Sequence, residues 1–512
     1  MNTYDAPLPP SFILPSSSQG ASVDQRTVTR REFLNLGLAA SAAAISGCGS
    51  PSRPAAVRSQ PTSSPPGLMG QRFLTLSIPI RVFTWEVSRD VIPLKQDEYE
   101  IHTPEAVRSL REAFRSGCPD GRLTWSFTLN ALEDQRPHYR EIRDYVARCQ
   151  KEYGDEVTYF PSYFAAQYLP RERINREMSQ ALALISRMVG GGYRPQSVIV
   201  GFLPSACMKY LAEREGIHVA HGVIWSQLGI DGGDGDGSPS YPFYPSSEHF
   251  CKAAQGSADF VDCVNLDGWT MDFITARQVG SNGHGRDHFN SRRGVAPIET
   301  IGGLGLDAGI DYILGSQSCH FDHGFDLNGF AWVTSIWEAA LVGLYAGPRY
   351  ERNLITRGLA RWLEATRARW PQTRCLPFGE FGEIWRRHFR DNDHWDYRFE
   401  AKGLGVADSK AELAVNWYMN KTFRLGLIRN WQKDEPWKVM DFTRYDLPAI
   451  EPADPVPAEP IRNWSLMNRL NQKGLRPQDK PLLLSELTSE ERRLIGHHYP
   501  MLVKEPGSDK PS

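Results

Sequence analysis

The amino-acid sequence predicts an α/β fold: a (β/α)7–8 barrel with a small, partly β C-terminal appendage. Three observations predict it. Apolar, β-branched runs alternate with helical stretches from Phe73 to Phe378. That alternation stops after about Arg390, where β-like runs and a Pro-rich stretch, Pro448–Pro460, take over. All fourteen Trp lie at or beyond Trp85, so the first 70 residues differ in kind from the rest. Strand–helix alternation calls for parallel strands with crossover helices, and seven or eight units suit a barrel better than an open sheet.

Composition sets the outer bounds. The chain has 512 residues, 58 Lys+Arg against 60 Asp+Glu, a formal net charge of −2, 41 % apolar residues and 11 % aromatic. Charge this close to zero argues against a nucleic-acid partner. No run approaches the ~18 apolar residues of a bilayer span, which excludes a multi-spanning membrane protein.

Residues 1–47 read as a twin-arginine lipoprotein signal peptide. Thr29-Arg30-Arg31-Glu32-Phe33-Leu34 supplies the arginine pair, and Leu34 to Gly47 is a weakly hydrophobic, Ala-rich h-region. It ends Ile45-Ser46-Gly47-Cys48, which resembles a lipobox with Cys48 as the lipidated residue. Such a signal implies export after cytoplasmic folding, through the twin-arginine translocase, with a lipid anchor facing periplasm or cell exterior. Residues 48–70 hold hardly any apolar side chain before Gly67 and read as a disordered tether. Seven further cysteines form no C-x-x-C pair, so they read as core thiols, with a disulfide or two left open.

Residues 71–390 are the expected barrel. Phe73–Trp85 is the first strand, and Thr103 with Pro104 opens a helix through Phe114. Arg122–Leu129 and Tyr139–Tyr153 are the next strand and helix, followed by Glu156–Phe164 and Arg171–Val189, the latter ended by Gly190-Gly191-Gly192. Ser197–Leu203, Ala206–Glu215 and Ile217–Trp225 continue the series as strand, helix, strand. Phe260–Trp269 reads as a sixth strand, Glu299–Ala308 as a helix, Asp311–Cys319 as a seventh strand and Ala331–Tyr345 as a helix. Asn353–Trp370 and Thr373–Phe378 close the pattern. Residues 391–512 are the α+β appendage, with β segments at Phe423–Ile428 and Trp437–Phe442 and a capping box at Thr488 and Glu491.

Barrel chemistry sits where strands end, and acids, imidazoles and indoles recur there. The first strand runs into Trp85-Glu86, the second into Asn130, Glu133 and Asp134, and the fifth into His221, Trp225 and Asp231. The sixth ends at Trp269, the seventh at Cys319-His320-Phe321-Asp322-His323, and the last at Gly379-Glu380. Singly, each acid also fits a helix cap or a solvated side chain; collectively they suit a carbohydrate site. Glycosidic acid/base chemistry needs two carboxyls held apart, and indole faces pack on sugar rings. The candidate acids are Glu86, Glu133, Asp231, Asp322 and Glu380, with His320 and His323 as orienters or proton carriers. Trp85, Trp225, Trp269 and Asn130 are the candidate substrate-binding residues.

Other motifs are weaker. His320, Asp322 and His323 could ligate a metal only if a loop aims all three inward; a metal-free histidine–carboxylate pair fits better. Asp231 to Ser238 resembles alternating calcium ligands but lacks the downstream Glu of an EF-hand. Gly302-Gly303-Leu304-Gly305 falls inside a helix and is no dinucleotide loop. The sequence names no cofactor. The rigid segment Tyr241-Pro242-Phe243-Tyr244-Pro245 could line the mouth or cover the barrel.

Leu123 to Asp134, Tyr153 to Tyr159 and Trp370 to Phe381 resemble the β/α-barrel superfamily of polysaccharide deacetylases and some glycoside hydrolases. Ile230–His249, Val261–Trp269 and His320–Trp332 more closely resemble an uncharacterised exported bacterial family with adjacent domains of unknown function. The superfamily's metal-dependent deacetylases carry paired Asp after the first strand and His-x-x-x-His after the second. Here Thr84-Trp85-Glu86 and Asn130 to Asp134 stand there, so no metal triad is carried over. Barrel glycosidases of the superfamily commonly show a His in the first strand, where this chain has Ile80-Arg81-Val82. They also place a carboxylate after the fourth, where it has Pro204-Ser205. The resemblance implies the fold and leaves the reaction open; the leading reading of the sequence is an exported carbohydrate-active hydrolase, acting on a glycosidic bond or an N-acetyl group. The alternative is a non-catalytic glycan-binding surface lipoprotein, and a zinc enzyme is a third reading.

Overall fold

The computed structural model describes residues 67–83, 97–161, 169–199, 203–221, 238–266, 297–405, 409–451, 453–454 and 481–503. The signal, Cys48 and most of the tether therefore lie outside the described residues. Among the described helices, none is long and apolar enough to cross a membrane.

The first half runs β1 (Arg72–Ile80), α1 (Pro104–Gly117), β2 (Thr124–Phe127), α2 (Leu129–Glu133), α3 (Pro137–Tyr153), β3 (Glu156–Tyr159), α4 (Arg171–Val189), β4 (Val198–Ile199), α5 (Ser205–Tyr210) and β5 (Val219–His221). A hairpin, β6 (Pro245–Ser246) and β7 (His249–Ala253), precedes β8 (Val264–Asn265), α6 (Pro297–Leu304), α7 (Leu306–Ser318) and α8 (Phe325–Asn328). Then come β9 (Ala331–Ile336), α9 (Ala339–Leu344), α10 (Leu354–Arg369), β10 (Thr373–Cys375) and α11 (Phe378–His388).

Local signals place the helices where the sequence expects them. Thr103 caps α1, its hydroxyl accepting from the Ala106 N–H at 3.2 Å. Gly154, left-handed at φ 76°, ends α3, a conformation that suits glycine. The strands are buried on both faces because helices cover one side and the barrel interior the other.

Eight strands form one parallel sheet in the order β9–β1–β2–β3–β4–β5–β8. The eighth, β10, pairs with Arg72 to Leu74 at the start of β1, just before β2 takes over at Ser77. No ladder joins β8 to β9 among the described residues, so the barrel is curled but not fully closed. The Tyr241–Pro245 segment covers that gap. Phe243 bridges to Asn265 on β8, and the Tyr241 hydroxyl accepts from Trp332 N at 2.6 Å and donates to Trp332 O at 3.2 Å on β9.

Helix α11 closes the amino-terminal end of the barrel. Phe381 stacks on Trp332 at 4.8 Å and meets Phe73 at 5.2 Å. Its first amides are held by the strand starts: Phe378 N donates to Thr124 Oγ1 and Gly379 N to Glu156 Oε2, both at 3.0 Å.

Two expectations change. Asp311–Cys319 is not a strand but part of α7 and the π turn Cys319–Gly324 that follows it. Leu306, Ile310, Ile313 and Gln317 recur at helical spacing on its buried face. The seventh long strand is instead Ala331–Ile336, buried along nearly its whole length, with a short helix after it. Its apolar run carries no alternation and merges by sequence with the helical Ala339–Leu344.

The second sheet is antiparallel: β11 (Asp396–Lys402), β12 (Leu413–Asn420), β13 (Phe423–Asn430), β14 (Lys438–Arg444) and β15 (Leu482–Leu483). Helix α12 (Ser489–His498) packs Ile495 against Phe423, Leu425 and Phe442, and Thr488 with Glu491 forms its capping box. Arg424, fully buried with Asp441, donates from Nη1 to Ser238 O at 2.7 Å and so ties this sheet to the barrel.

Candidate active site

The barrel interior above the plug is built from side chains that the strand pleat turns inward. On β1, Thr75 and Ser77 share the face of Phe73; on β9, Thr334 shares that of Trp332; on β2, Ser126 shares that of Thr124. His221 ends β5 with its ring stacked 4.9 Å from Phe378, directly above the plug. The Trp332 indole donates to Thr75 Oγ1 at 3.0 Å. Ser77 Oγ, Ser126 Oγ, Thr334 Oγ1 and both His221 ring nitrogens are fully buried and have no hydrogen-bond partner among the described residues. Buried polar groups are nearly always partnered, which sets this layer of hydroxyls and imidazole apart from the apolar residues packed around it.

Above it lies a charged cluster. Arg81, at the end of β1 and fully buried, holds Glu98 through Nε at 2.7 Å and Glu338 through Nη1 at 2.8 Å. Glu338 follows β9 and keeps 18 % of its side chain exposed, against 5 % for Glu98. His102 stands next to this cluster; burial first, and then the Arg81 charge, push its imidazole down to about 3. Burial alone brings His221 down to about 3. Both rings are therefore neutral near pH 7.

The predicted site residues fall into three groups. Trp85, Glu86, Trp225, Asp231 and Trp269 lie outside the described residues. Asn130 and Glu133 are on α2, set at the mouth by Thr128, whose hydroxyl caps the helix at Ala131 N. Glu133 is exposed there and accepts from Gln180 at 2.6 Å. The third group is at the opposite end. Because α7 precedes β9, the turn carrying His320, Asp322 and His323 leads into the start of a strand instead of leaving its end. His320 is buried against Phe399 at 5.6 Å, Asp322 accepts from Trp370 Nε1 at 2.6 Å and Arg369 Nη2 at 2.9 Å, and His323 is exposed. Among the described residues no three His, Cys, Asp or Glu are placed to hold a metal ion. Glu380 pairs with Arg122 at 2.5 Å beside the plug. A cavity of about 540 Å³ opens there, lined by Arg122, Glu156, Arg194 and Glu380, on the far side of α11 from the strand carboxyl ends.

Arg81, Glu98, Glu338 and His102 are absent from the sequence-derived candidates. Glu338 carried a usable signal, being an acid directly after a buried aromatic and β-branched run, but only once that run is recognised as a strand.

Fold and mouth together define a parallel β/α barrel with an antiparallel β appendage. Residues 66–419 match the family model described as Domain of Unknown Function with solved-structure structure (DUF3863), and residues 424–502 match DUF3864, described in the same words. The chain belongs to the DUF3863 family, with DUF3864 directly after it. A Parabacteroides distasonis structure named a "putative glycoside hydrolase/deacetylase" is similar at 56 % identity, over 86 % of this chain and 100 % of that one, with a TM-score of 0.79. A "putative polysaccharide deacetylase" from Mycobacterium smegmatis shares 13 % identity over 64 % of this chain and 94 % of its own, with a TM-score of 0.38. A GH57-type branching enzyme from Pyrococcus horikoshii shares 12 % over 62 % and 71 %, with a TM-score of 0.36. Those two likenesses are too distant to carry an argument. No curated protein matches the chain.

Proposed function

We propose that the chain is a carbohydrate-active hydrolase working at the carboxyl-terminal mouth of the barrel, on a glycosidic bond or an N-acetyl group. The layer of buried, unpartnered Ser77, Ser126, Thr334 and His221 beneath the Arg81 cluster carries this reading. Hydroxyls and a neutral imidazole suit an uncharged polyol, since they offer donors and acceptors without a net charge to balance. The 56 % identical structure with its glycoside hydrolase/deacetylase designation supports the same class. Glu338 is the acid we assign to proton transfer, because it is half-buried, follows a strand at an inward position and is reachable from the mouth. The Arg-pair, h-region and Cys48 order of the leader supports twin-arginine export and a lipid anchor.

A specific observation favours a second reading, a non-catalytic glycan-binding lipoprotein. Glu98 and Glu338 are both bound to one guanidinium, whereas glycosidases set two carboxyls about 5–10 Å apart across the cavity. A panel of glycans and acetylated glycans, assayed with wild type and Glu338→Gln, separates the two. Turnover that falls by about 100-fold or more in the variant supports proton transfer by Glu338. Turnover insensitive to the substitution removes Glu338 from the mechanism. Saturable binding with no turnover on any glycan selects the second reading.

A further inference from the structure

We infer that Cys118 and Cys375 are a disulfide-forming site at the closed end of the barrel, oxidised by exchange with a disulfide-class partner. Cys118 is the residue that ends α1, and Cys375 is the last residue of β10. The turn after α1 brings them side by side. Gly121 N donates to Cys118 O at 3.0 Å and Arg122 N to Cys375 O at 3.2 Å. A β-carbon built on Gly121 would stand 2.6 Å from Cys118 Sγ and 3.0 Å from Cys375 Cβ, so sulfur and β-carbon flank the same point. Both cysteines are free and buried. A sulfur and a β-carbon that flank one point can be joined through rotation about Cα–Cβ, the β-carbons of a disulfide standing about 3.5–4.5 Å apart.

The two sulfurs also have different characters. The adjoining Cys375 thiol holds the Cys118 thiol below its usual range, and the Arg367 charge acts in the same direction. The adjoining Cys118 thiol and burial push Cys375 up. Elsewhere burial raises Cys149, to about 12, and Cys263. Cys118 borders the exposed Pro119 and Asp120, whereas Cys375 is followed by the buried Leu376 and Pro377; since the thiolate is the nucleophile, the more approachable Cys118 is the attacking sulfur and Cys375 the resolving one. Access is through the exposed Pro119 and Asp120 of the turn, under which Cys118 is 5 % exposed.

The exchange balances in two steps. The Cys118 thiolate attacks one sulfur of the oxidant R–S–S–R, its S–S bond breaks, and one thiolate leaves. The Cys375 thiol then gives up its proton and attacks Cys118 Sγ, expelling the second thiolate. Two protein thiols are oxidised, one external disulfide is reduced to two thiols, and the protons released go to the leaving groups. The bond would fasten the end of α1 to β10, three residues before α11 begins the plug.

The test uses the full chain, folded, with glutathione disulfide as the probe, followed by alkylation in denaturant and peptide mapping. We expect two alkylatable thiols to be lost and one cross-linked peptide pair to contain residues 118 and 375. Cys375→Ser should stop at a mixed disulfide with glutathione on Cys118, and Cys118→Ser should take up none at Cys375. A wild-type map in which both cysteines stay alkylatable overturns the inference, as does cross-linking through Cys149 or Cys263 in their place. The wild-type map needs no variant to fold.

Discussion

Replacing Arg81 by Met tests whether the mouth cluster is held as described. The guanidinium is fully buried and makes three close contacts: Nε and Nη2 to Glu98 at 2.7 and 3.2 Å, and Nη1 to Glu338 at 2.8 Å. Met keeps much of the stem packing and removes the charge. Glu98, with 5 % of its side chain exposed, is then a carboxylate facing an apolar group, and breaking a buried pair from one side costs about 3–5 kcal/mol. Glu338 reaches solvent, so its share should be no more than about 1 kcal/mol. Adding Glu98→Gln to Arg81→Met removes the stranded charge and should recover at least half of the loss, because contacting residues do not add independently. Urea unfolding followed by Trp fluorescence reads this as a midpoint that falls in the single variant and rises again in the double. A single variant within about 1 kcal/mol of wild type, or a double variant no better than the single, would refute the buried-pair reasoning.

Other outcomes follow from the same structure. His102 and His221 are depressed to about 3 from an ordinary 6.5, so between those values the unfolded chain binds protons that the folded chain does not. Stability is therefore complete above pH 6.5 and is lost as pH falls towards 3, at up to ~1.4 kcal/mol per pH unit for each ring; thermal midpoints of His102→Phe/His221→Phe should fall less steeply over that window than wild type. Gly382→Ala places a methyl 2.4 Å from Val219 Cγ1, forcing α11 off β5, and should cost about 1–3 kcal/mol, with Val219→Ala in the same chain restoring part of it. Cys48→Ser should release the exported protein from membranes, and Arg30→Lys/Arg31→Lys should retain it in the cytoplasm, both read by cell fractionation; an unchanged distribution counts against the signal reading.

The sheet was legible where short-range signals agree. Thr103 before Pro104, Gly190 after Val189 and the apolar runs that became β1 to β5 each state their conformation within a few residues. Legibility failed between Leu306 and Leu344, where a largely buried helix and a strand buried along nearly its whole length both mix apolar with small polar residues. That exchange moved the expected site, since it put His320, Asp322 and His323 at the wrong end of a strand. Glu380 was misplaced for a different reason. Its strand, β10, pairs only with the first three residues of β1, so the chain leaves it near the barrel's amino-terminal end, and no local pattern encodes that height. The Arg81 cluster joins residues 81, 98 and 338, which only the folded chain brings together.

The carboxylates at the plugged end and the hydroxyls inside the barrel differ in how they are satisfied, and that difference supports the proposed site. At the plugged end Glu380 has Arg122, Asp322 has Trp370 and Arg369, and Glu156 accepts from Gly379 N, Thr124 and Ser197. Every one of these carboxylates is committed to fastening a helix or a strand start. In the barrel interior above the plug, Ser77, Ser126, Thr334 and His221 are equally buried, yet their side-chain atoms are unpartnered among the described residues. A buried polar atom without a partner costs about 1–3 kcal/mol, a large sum over four residues in a fold whose net stability is about 5–15 kcal/mol. An apolar replacement of the same shape would relieve it, as Val does for Thr. A purely structural interior would therefore favour valine and alanine at these positions. On the proposed function, these hydroxyls and this imidazole are what a polar molecule entering from the mouth would bond to.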